Sequence, residues 1–120
     1  MSDAASSVVL IAVEEPMVSR ILEHKLRREG HEVRTVHGPA QLHSALSAGD
    51  IDVLLLSAAL FRDAPRPAPR AGWLLLAGAF DSDDTVHAAM RNGAAGVVRL
   101  PFKPTAVAAQ VATLLTLVPS

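Results

Sequence analysis

Five short apolar runs alternate with segments of helical periodicity along the chain. Most of these runs are hydrophobic at nearly every position, which is typical of parallel strands buried on both faces. Polar caps such as Asp81 and Ser82, and glycines such as Gly30 and Gly93, mark where helices begin and end. The predicted strands are 8–13, 31–36, 52–56, 73–77 and 96–99, and the predicted helices are 16–30, 39–48, 82–92 and 104–118. This order predicts an α/β fold with a five-stranded, doubly wound parallel sheet and right-handed crossovers.

The connection between the third and fourth strands differs from the others. Fifteen residues, AALFRDAPRPAPRAG, separate Ser57 from Trp73, and they include prolines at 65, 67 and 69. Prolines at every second position exclude a helix and favour an extended path. We therefore expect the third crossover helix to be missing or reduced to about one turn. Because the strands on either side are apolar on both faces, we expect Leu60 and Phe61 to fold inward and fill part of the gap.

Length, charge and composition limit the classes of function. The chain has 120 residues, half of them hydrophobic, and a formal net charge of −1. These values suit one folded domain over residues 1–120 and give no reason to expect direct binding to nucleic acid or to a membrane. There are no cysteines, so disulfides and thiolate metal sites are excluded. The first apolar run stops at Glu14 with no basic segment before it, so we expect no signal peptide and a cytoplasmic protein.

Ser57 follows a buried strand, at the edge where parallel sheets usually hold their chemistry. A nucleophile elbow requires glycines two residues before and two after the serine, but Leu55 and Ala59 occupy those positions. We therefore interpret Ser57 as a small polar residue that ends a strand. Glu14 and Glu15 leave two readings open. They could bind a metal or act as acid and base, but adjacent acidic residues are also ordinary at a helix N-terminus, and we favour that reading.

The remaining polar residues carry no recognisable chemistry. No glycine-rich phosphate loop occurs, and none of the histidines has a partner at metal-binding spacing. We expect all five to be surface or strand-edge residues: His24, His31, His37, His43 and His87. The sequence thus predicts neither a catalytic residue nor a metal site.

Four motifs in order resemble the receiver domain of two-component response regulators, which has a flavodoxin-like, CheY-like fold. VLIAVEEP at 9–16 is similar to the family's ILIVDDEP, and DVLLLS at 52–57 is similar to DLVLLD. WLLLAG at 73–78 matches a fourth strand that ends in Thr or Ser and then Ala, and GAAGVVRLPF at 93–102 matches GADDYLTKPF. The resemblance covers nearly the whole chain. It implies a role in signal transduction and a cis peptide bond between Leu100 and Pro101.

The same resemblance identifies positions at which this chain departs from the family. In receiver domains two carboxylates hold Mg²⁺, an aspartate accepts the phosphoryl group, and a hydroxyl and a lysine bind its oxygens. The matching positions here are Val13, Glu14, Ser57, Ala77 and Leu100. A serine cannot form an acyl phosphate, and one carboxylate is a poor ligand set for magnesium. We therefore expect an atypical, phosphorylation-independent pseudo-receiver that is no enzyme and needs no cofactor or metal.

The last predicted helix has no charged residue between 104 and 120. Its apolar stripe, which we expect to face the sheet, consists of Val107, Val111, Leu114, Leu115 and Val118. A solvent-facing side normally carries Lys, Glu or Arg, so the small residues on the far side predict an interface, although a tolerated Ala and Thr surface remains the alternative. The resemblance implies the same region, because receiver dimers often use the fourth helix, fifth strand and fifth helix. The predicted interface residues are Val97, Thr105, Ala106, Ala109, Thr113 and Thr116.

Three functions follow as hypotheses. The first is a protein-interaction and dimerisation module in signal transduction or transcription regulation, forming a homodimer through its last helix. The resemblance leaves room for a protein partner or for an output domain after Ser120. The second is a small-ligand sensor that uses an emptied pocket near Ser57, Ala77 and Leu100. The third is residual phosphotransfer, which would require Mg²⁺-dependent labelling.

Overall fold

A single parallel sheet of five strands, in the order β2-β1-β3-β4-β5, organises the computed structural model of the chain. The structure describes residues 7–62, 69–78 and 81–116. The strands are β1 Val8–Ala12, β2 Glu32–Val36, β3 Val53–Ser57, β4 Gly72–Ala77 and β5 Gly96–Arg99. The helices are α1 Pro16–Arg28, α2 Pro39–Ser47, α3 Ala58–Phe61, α4 Asp83–Arg91 and α5 Pro104–Thr116. The predicted doubly wound α/β fold is confirmed, and the element bounds lie within two residues of the predicted ones.

The sheet is apolar on both faces, and each face has its own hydrophobic core. Side chains alternate along β3, so that Leu55 points to one face while Leu54 and Leu56 point to the other. Helices α1 and α5 cover the first face, which we call the α1/α5 face. Helices α2, α3 and α4 cover the second, which we call the α3 face. The central strands are therefore wholly buried, as their unbroken hydrophobic runs predict.

The third crossover helix is one turn long, which confirms the sequence-based prediction. The hydroxyl of Ser57 accepts a hydrogen bond from the backbone N–H of Leu60 at 3.3 Å and so caps this turn. Both Leu60 and Phe61 are buried, and the Phe61 ring stacks on Trp73 with a centroid distance of 5.5 Å. These side chains cover strands that a longer helix would otherwise cover. The prolines at 65 and 67 lie outside the described residues.

Two further expectations concern single features. The peptide bond between Leu100 and Pro101 is cis, as the resemblance implies. In the part of the chain that the structure describes, no helix has the length and apolar character needed to cross a membrane.

Ion pairs occupy the outer edge of the sheet at β2. Arg34 bonds with Glu32 at 2.9 Å and with Asp50 at 2.8 Å. The hydrogen bond from Arg34 holds the pKa of the Asp50 carboxyl below its usual value. Charged side chains at an edge strand discourage pairing with a strand of another molecule. The ion pairs at β2 therefore disfavour the addition of a strand from another molecule to this edge of the sheet.

The amino ends of three strands meet at Asp52. Its carboxylate accepts a hydrogen bond from the backbone N–H of Val8 at 2.8 Å. Its own N–H donates to the Val8 carbonyl at 2.9 Å, and its carbonyl accepts from the N–H of Ala71 at 2.7 Å. Asp52 therefore aligns β1 and β4 with β3, and it precedes the strand that it was predicted to begin.

Replacing Asp52 by alanine should leave the partly buried N–H of Val8 without this partner. We expect the free energy of unfolding to fall by about 1–3 kcal/mol, measured by urea denaturation. The Asp52→Asn variant is the matched control, because its amide oxygen can still accept the bond, and it should lose clearly less. Equal stability of the alanine variant and the native chain would contradict this role.

Candidate functional site

A cavity of about 160 Å³ lies at the carboxyl ends of the strands, on the α1/α5 face. It is built from the last residues of β3 and β4 and from the segments that follow β1, β3, β4 and β5. The lining residues are Val13, Glu14, Glu15, Val18, Ser57, Ala58, Ala59, Leu76, Gly78, Asp81, Leu100 and Phe102. This is the edge of a parallel sheet at which ligands usually bind.

The structure brings together four of the five positions that the resemblance identified. The cavity lining includes Val13, Glu14, Ser57 and Leu100. Ala77 is different, because it is fully buried and its side chain packs in the core of the α3 face. The pocket that the sequence placed near Ser57, Ala77 and Leu100 is therefore corrected: Leu76 and Gly78, on either side of Ala77, contribute its β4 wall.

Ser57 is buried and its hydroxyl oxygen already has a structural partner. Its exposed fraction is 6%, and it caps α3 through the N–H of Leu60. Among the described lining residues there is no histidine, lysine or arginine, and the Ser57 hydroxyl makes no hydrogen bond to the carboxylate of Glu14, Glu15 or Asp81. The geometry therefore fits a helix cap and does not show the base contact of a nucleophilic serine.

The carboxylates around the cavity point to different partners. Glu15 accepts the N–H of Met17 at 3.0 Å and caps α1. Glu14 is exposed and has no hydrogen bond to the described residues. No group of three or more His, Cys, Asp or Glu side chains suited to a metal ion occurs in the described ranges. The two adjacent glutamates thus match the helix-terminal reading more closely than the metal-binding one.

Asp81 is the cavity residue that sequence reasoning placed wrongly. Asp81 and Ser82 were both predicted as caps of α4, and of the two it is Ser82 that caps the helix, by accepting the N–H of Thr85 at 3.3 Å. The Asp81 carboxylate instead accepts the N–H of Gly78 at 2.6 Å and lies 3.4 Å from the guanidinium of Arg62. It closes the loop after β4. Asp and Ser are both common helix caps, so the sequence alone does not indicate which of Asp81 and Ser82 caps α4.

No cation takes the position of the family's lysine. Leu100 stands there, 39% exposed at the mouth of the cavity. The neighbouring Arg99 turns away and bonds with Asp83 at the start of α4, at 3.2 Å. The alternation along β5 therefore sends this positive charge away from the cavity.

The outward side of α5 is exposed and uncharged. Its inner side buries Val107, Val111 and Leu114 in the α1/α5 core, and Leu115 is half-buried against it. The Thr113 hydroxyl donates to a carbonyl of the preceding turn at 3.0 Å, so it is satisfied within the helix. The exposed residues are Thr105, Ala106, Ala109, Ala112, Thr113 and Thr116.

Val97 lies on the edge strand β5, but its side chain packs against the core of the α3 face. It therefore does not share a surface with the outward side of α5, because strand alternation places it on the opposite face of the sheet. Val118 of the apolar stripe lies outside the described residues.

The histidines are placed as predicted, at the surface or at strand edges. Four are exposed, and His31, just before β2, is half-buried. Burial lowers the pKa of the His31 imidazole. His37 bonds through Nδ1 to the carbonyl of Val13 at 2.9 Å and so links the ends of β2 and β1. None of the five lines the cavity.

Comparisons of the sequence find no match for this chain, whereas the comparison of structures does. No protein-family model matches the sequence, and no curated protein matches it. Solved structures do resemble the fold. A CheY-like receiver domain protein from Methanospirillum hungatei superposes with a TM-score of 0.81 at 16% identity, over 93% of this chain and 95% of that one.

Two other solved structures give the same picture. A signal receiver domain from Bermanella marisrubri has a TM-score of 0.80 at 18% identity, covering 92% of this chain and 98% of that one. A response regulator from Chloroflexus aurantiacus, described as putative, has a TM-score of 0.76 at 22% identity, with the same coverage. The chain therefore has the five-stranded fold of the CheY-like response-regulator receiver domain.

Proposed function

We propose that this chain is a signal-transduction module that acts through protein contacts and without phosphorylation. The observation that carries the proposal is the composition of the cavity. Its described lining residues have Ser57 in place of an acceptor carboxylate and include no lysine or arginine that could bind a phosphoryl group. The carboxylates among them, Glu14, Glu15 and Asp81, would repel phosphate.

The described residues of the cavity also fit a magnesium ion poorly, and receiver phosphotransfer depends on that ion. Mg²⁺ prefers six oxygen ligands in octahedral geometry and gives up its water reluctantly. Glu14 is the one glutamate of the cavity whose carboxylate has no hydrogen bond to a described residue, since Glu15 caps α1. A single exposed carboxylate provides a weak site for this ion. Because the cavity is inert in this proposal, the signal is transmitted through contacts at the surface of the domain.

We assign the contact surface to the outward side of α5, as a homodimer. This side is exposed over its whole described length and carries no charge. By contrast, the exposed side of α1 carries arginines, and α4 begins with Asp83 and Asp84. Small Ala and Thr side chains let two helices approach closely, and uncharged surfaces cost little to remove from water. An output domain or protein partner would then respond to the dimer.

A second candidate function rests on the cavity itself. Its walls include the apolar side chains of Val13, Leu76, Leu100 and Phe102, so it could enclose a small, mostly apolar ligand. A ligand of this kind that binds only the folded chain would raise its melting temperature. A variant with the cavity filled, Leu100→Trp, should lose that shift. If the domain is a contact module alone, small apolar compounds should leave the melting temperature of both chains unchanged.

The cavity should be chemically inert toward phosphoryl donors. Incubation with acetyl phosphate and Mg²⁺ should give no mass increase, because Ser57 caps α3 and the cavity lining that the structure describes includes no lysine or arginine. Beryllofluoride with Mg²⁺ should likewise leave the tryptophan fluorescence unchanged. A typical receiver domain treated in parallel provides the positive control. Stoichiometric, Mg²⁺-dependent modification of this chain would overturn the proposal.

The native chain should sediment as a dimer at micromolar concentration, and the Ala109→Glu variant as a monomer. Two copies of the new carboxylate would meet near the two-fold axis and repel each other. The measurement is best made in about 1 M salt, which screens other charge-dependent contacts but leaves an uncharged α5 contact intact. Circular dichroism should show both chains folded.

The matched control is Ala40→Glu, which adds the same charge to an exposed position of α2. This variant should remain dimeric. A monomeric native chain, or a dimeric Ala109→Glu variant, would exclude α5 as the interface.

A further inference from the structure

An apolar groove lies beside α1, next to the cavity at the strand ends. Its volume is about 210 Å³, and its walls come from α1 and from the segment that joins β5 to α5. Ile21 is 46% exposed and Leu100 is 39% exposed, so the groove presents apolar surface to water. A ligand that covers this surface gains free energy from its removal from water. The described lining residues are all apolar: Val18, Ile21, Leu100, Pro101, Phe102 and Pro104.

A second recess, which we call the basic cleft, continues the groove along α1. Ile21 and Pro104 line both recesses, so the two form one trough. The basic cleft has a volume of about 390 Å³. Recesses that combine apolar walls with a few charged groups are typical of small-molecule sites. The other described residues that line the basic cleft are His24, Lys25, Arg28 and Glu29.

The charges of the basic cleft favour an anion. Glu29 is the one carboxylate among its described lining residues, and its Oε2 atom lies 3.2 Å from Nζ of Lys25. Arg28 is exposed and forms no ion pair with a described residue. Because Lys25 and Glu29 neutralise each other, Arg28 leaves the cleft with a positive charge. The neighbouring cavity has carboxylates and no lysine or arginine among its described lining residues, so an anion is attracted to the cleft and not to the cavity.

We propose that the trough binds a small amphipathic anion, with an apolar body in the groove and a carboxylate or phosphate group in the basic cleft. Arg28 follows Ile21 by seven residues within α1. This separation corresponds to about 10 Å along the helix axis, which sets the length of the apolar body. The guanidinium can donate two hydrogen bonds to one carboxylate or phosphate group. An uncharged molecule would not use this charge, and an organic cation would be repelled by it.

The trough is separate from the outward side of α5, to which the homodimer contact is assigned. It shares a wall with the cavity at the strand ends, because Val18, Leu100 and Phe102 line both. Neither the proposed dimer nor the inert cavity depends on the basic cleft. An experiment must therefore distinguish a ligand in the trough from a ligand in the cavity.

Octanoate is a suitable probe, because it combines a flexible apolar chain with one carboxylate. It would be titrated into the isotope-labelled full chain below the concentration at which it forms micelles, and amide NMR spectra would locate it. We expect saturable shifts, largest near Ile21 and in the last turn of α1. Octyl phosphate should bind at the same place. Octanol lacks the charge and inorganic phosphate lacks the apolar body, so each should bind more weakly than octanoate.

Substitutions separate the two parts of the trough. Arg28→Gln should weaken octanoate binding by roughly twofold to fivefold, the range of an exposed charge pair, and should leave octanol binding unchanged. Arg28→Lys keeps the charge and should bind octanoate nearly as the native chain does. Ile21→Ser should weaken the binding of both octanoate and octanol. The matched control is Arg91→Gln, the same change in the last turn of α4, which should bind octanoate as the native chain does.

Shifts along α1 that weaken in Arg28→Gln but not in Arg91→Gln support the proposal. Equal affinity for octanol and octanoate overturns it, and so does an Arg28→Gln variant that binds octanoate like the native chain. Shifts confined to Ser57 and Gly78 would place the ligand in the cavity, which overturns the trough and supports the second candidate function. If neither octanoate nor octyl phosphate binds saturably, the proposal is wrong, whereas the homodimer through α5 is unaffected.

Discussion

Burial of the central strands on both faces is the constraint on which the rest of the structure depends. β1, β3 and β4 are apolar at nearly every position, so neither face of the sheet can be left to water. Helices α1 and α5 satisfy this requirement on one face. On the other face the proline-rich connection leaves room for a helix of only one turn. The large side chains of Leu60, Phe61 and Trp73 cover this face of the sheet in place of a longer helix.

This constraint explains why so much of the fold could be predicted from the sequence. A run such as VLLLS has few alternatives to a buried parallel strand, and Gly30 and Gly49, both at positive φ, mark helix ends without ambiguity. The shortened crossover was equally visible, because proline at alternate positions excludes a helix whatever surrounds it.

The details that sequence could not predict concern side-chain direction at strand ends. Strand periodicity gives the two faces, but it does not say which side chains reach a cavity once the chain turns into a loop. Ala77 was expected in the cavity and packs on the other face, and Val97 was grouped with α5 although it faces away. Asp81 joins the cavity because its carboxylate bonds to Gly78, a contact that depends on the path of the β4–α4 loop.

The fluorescence of Trp73, the single tryptophan, reports on structural changes inside the molecule. Ser57 lies in the cavity wall and holds the N–H of Leu60, the next residue is Phe61, and its ring stacks on Trp73. A disturbance that pulls Ser57 out of its cap must move this turn and alter the contact between the two rings. Tryptophan emission therefore registers events at the carboxyl edge of the sheet although the indole lies on its far face.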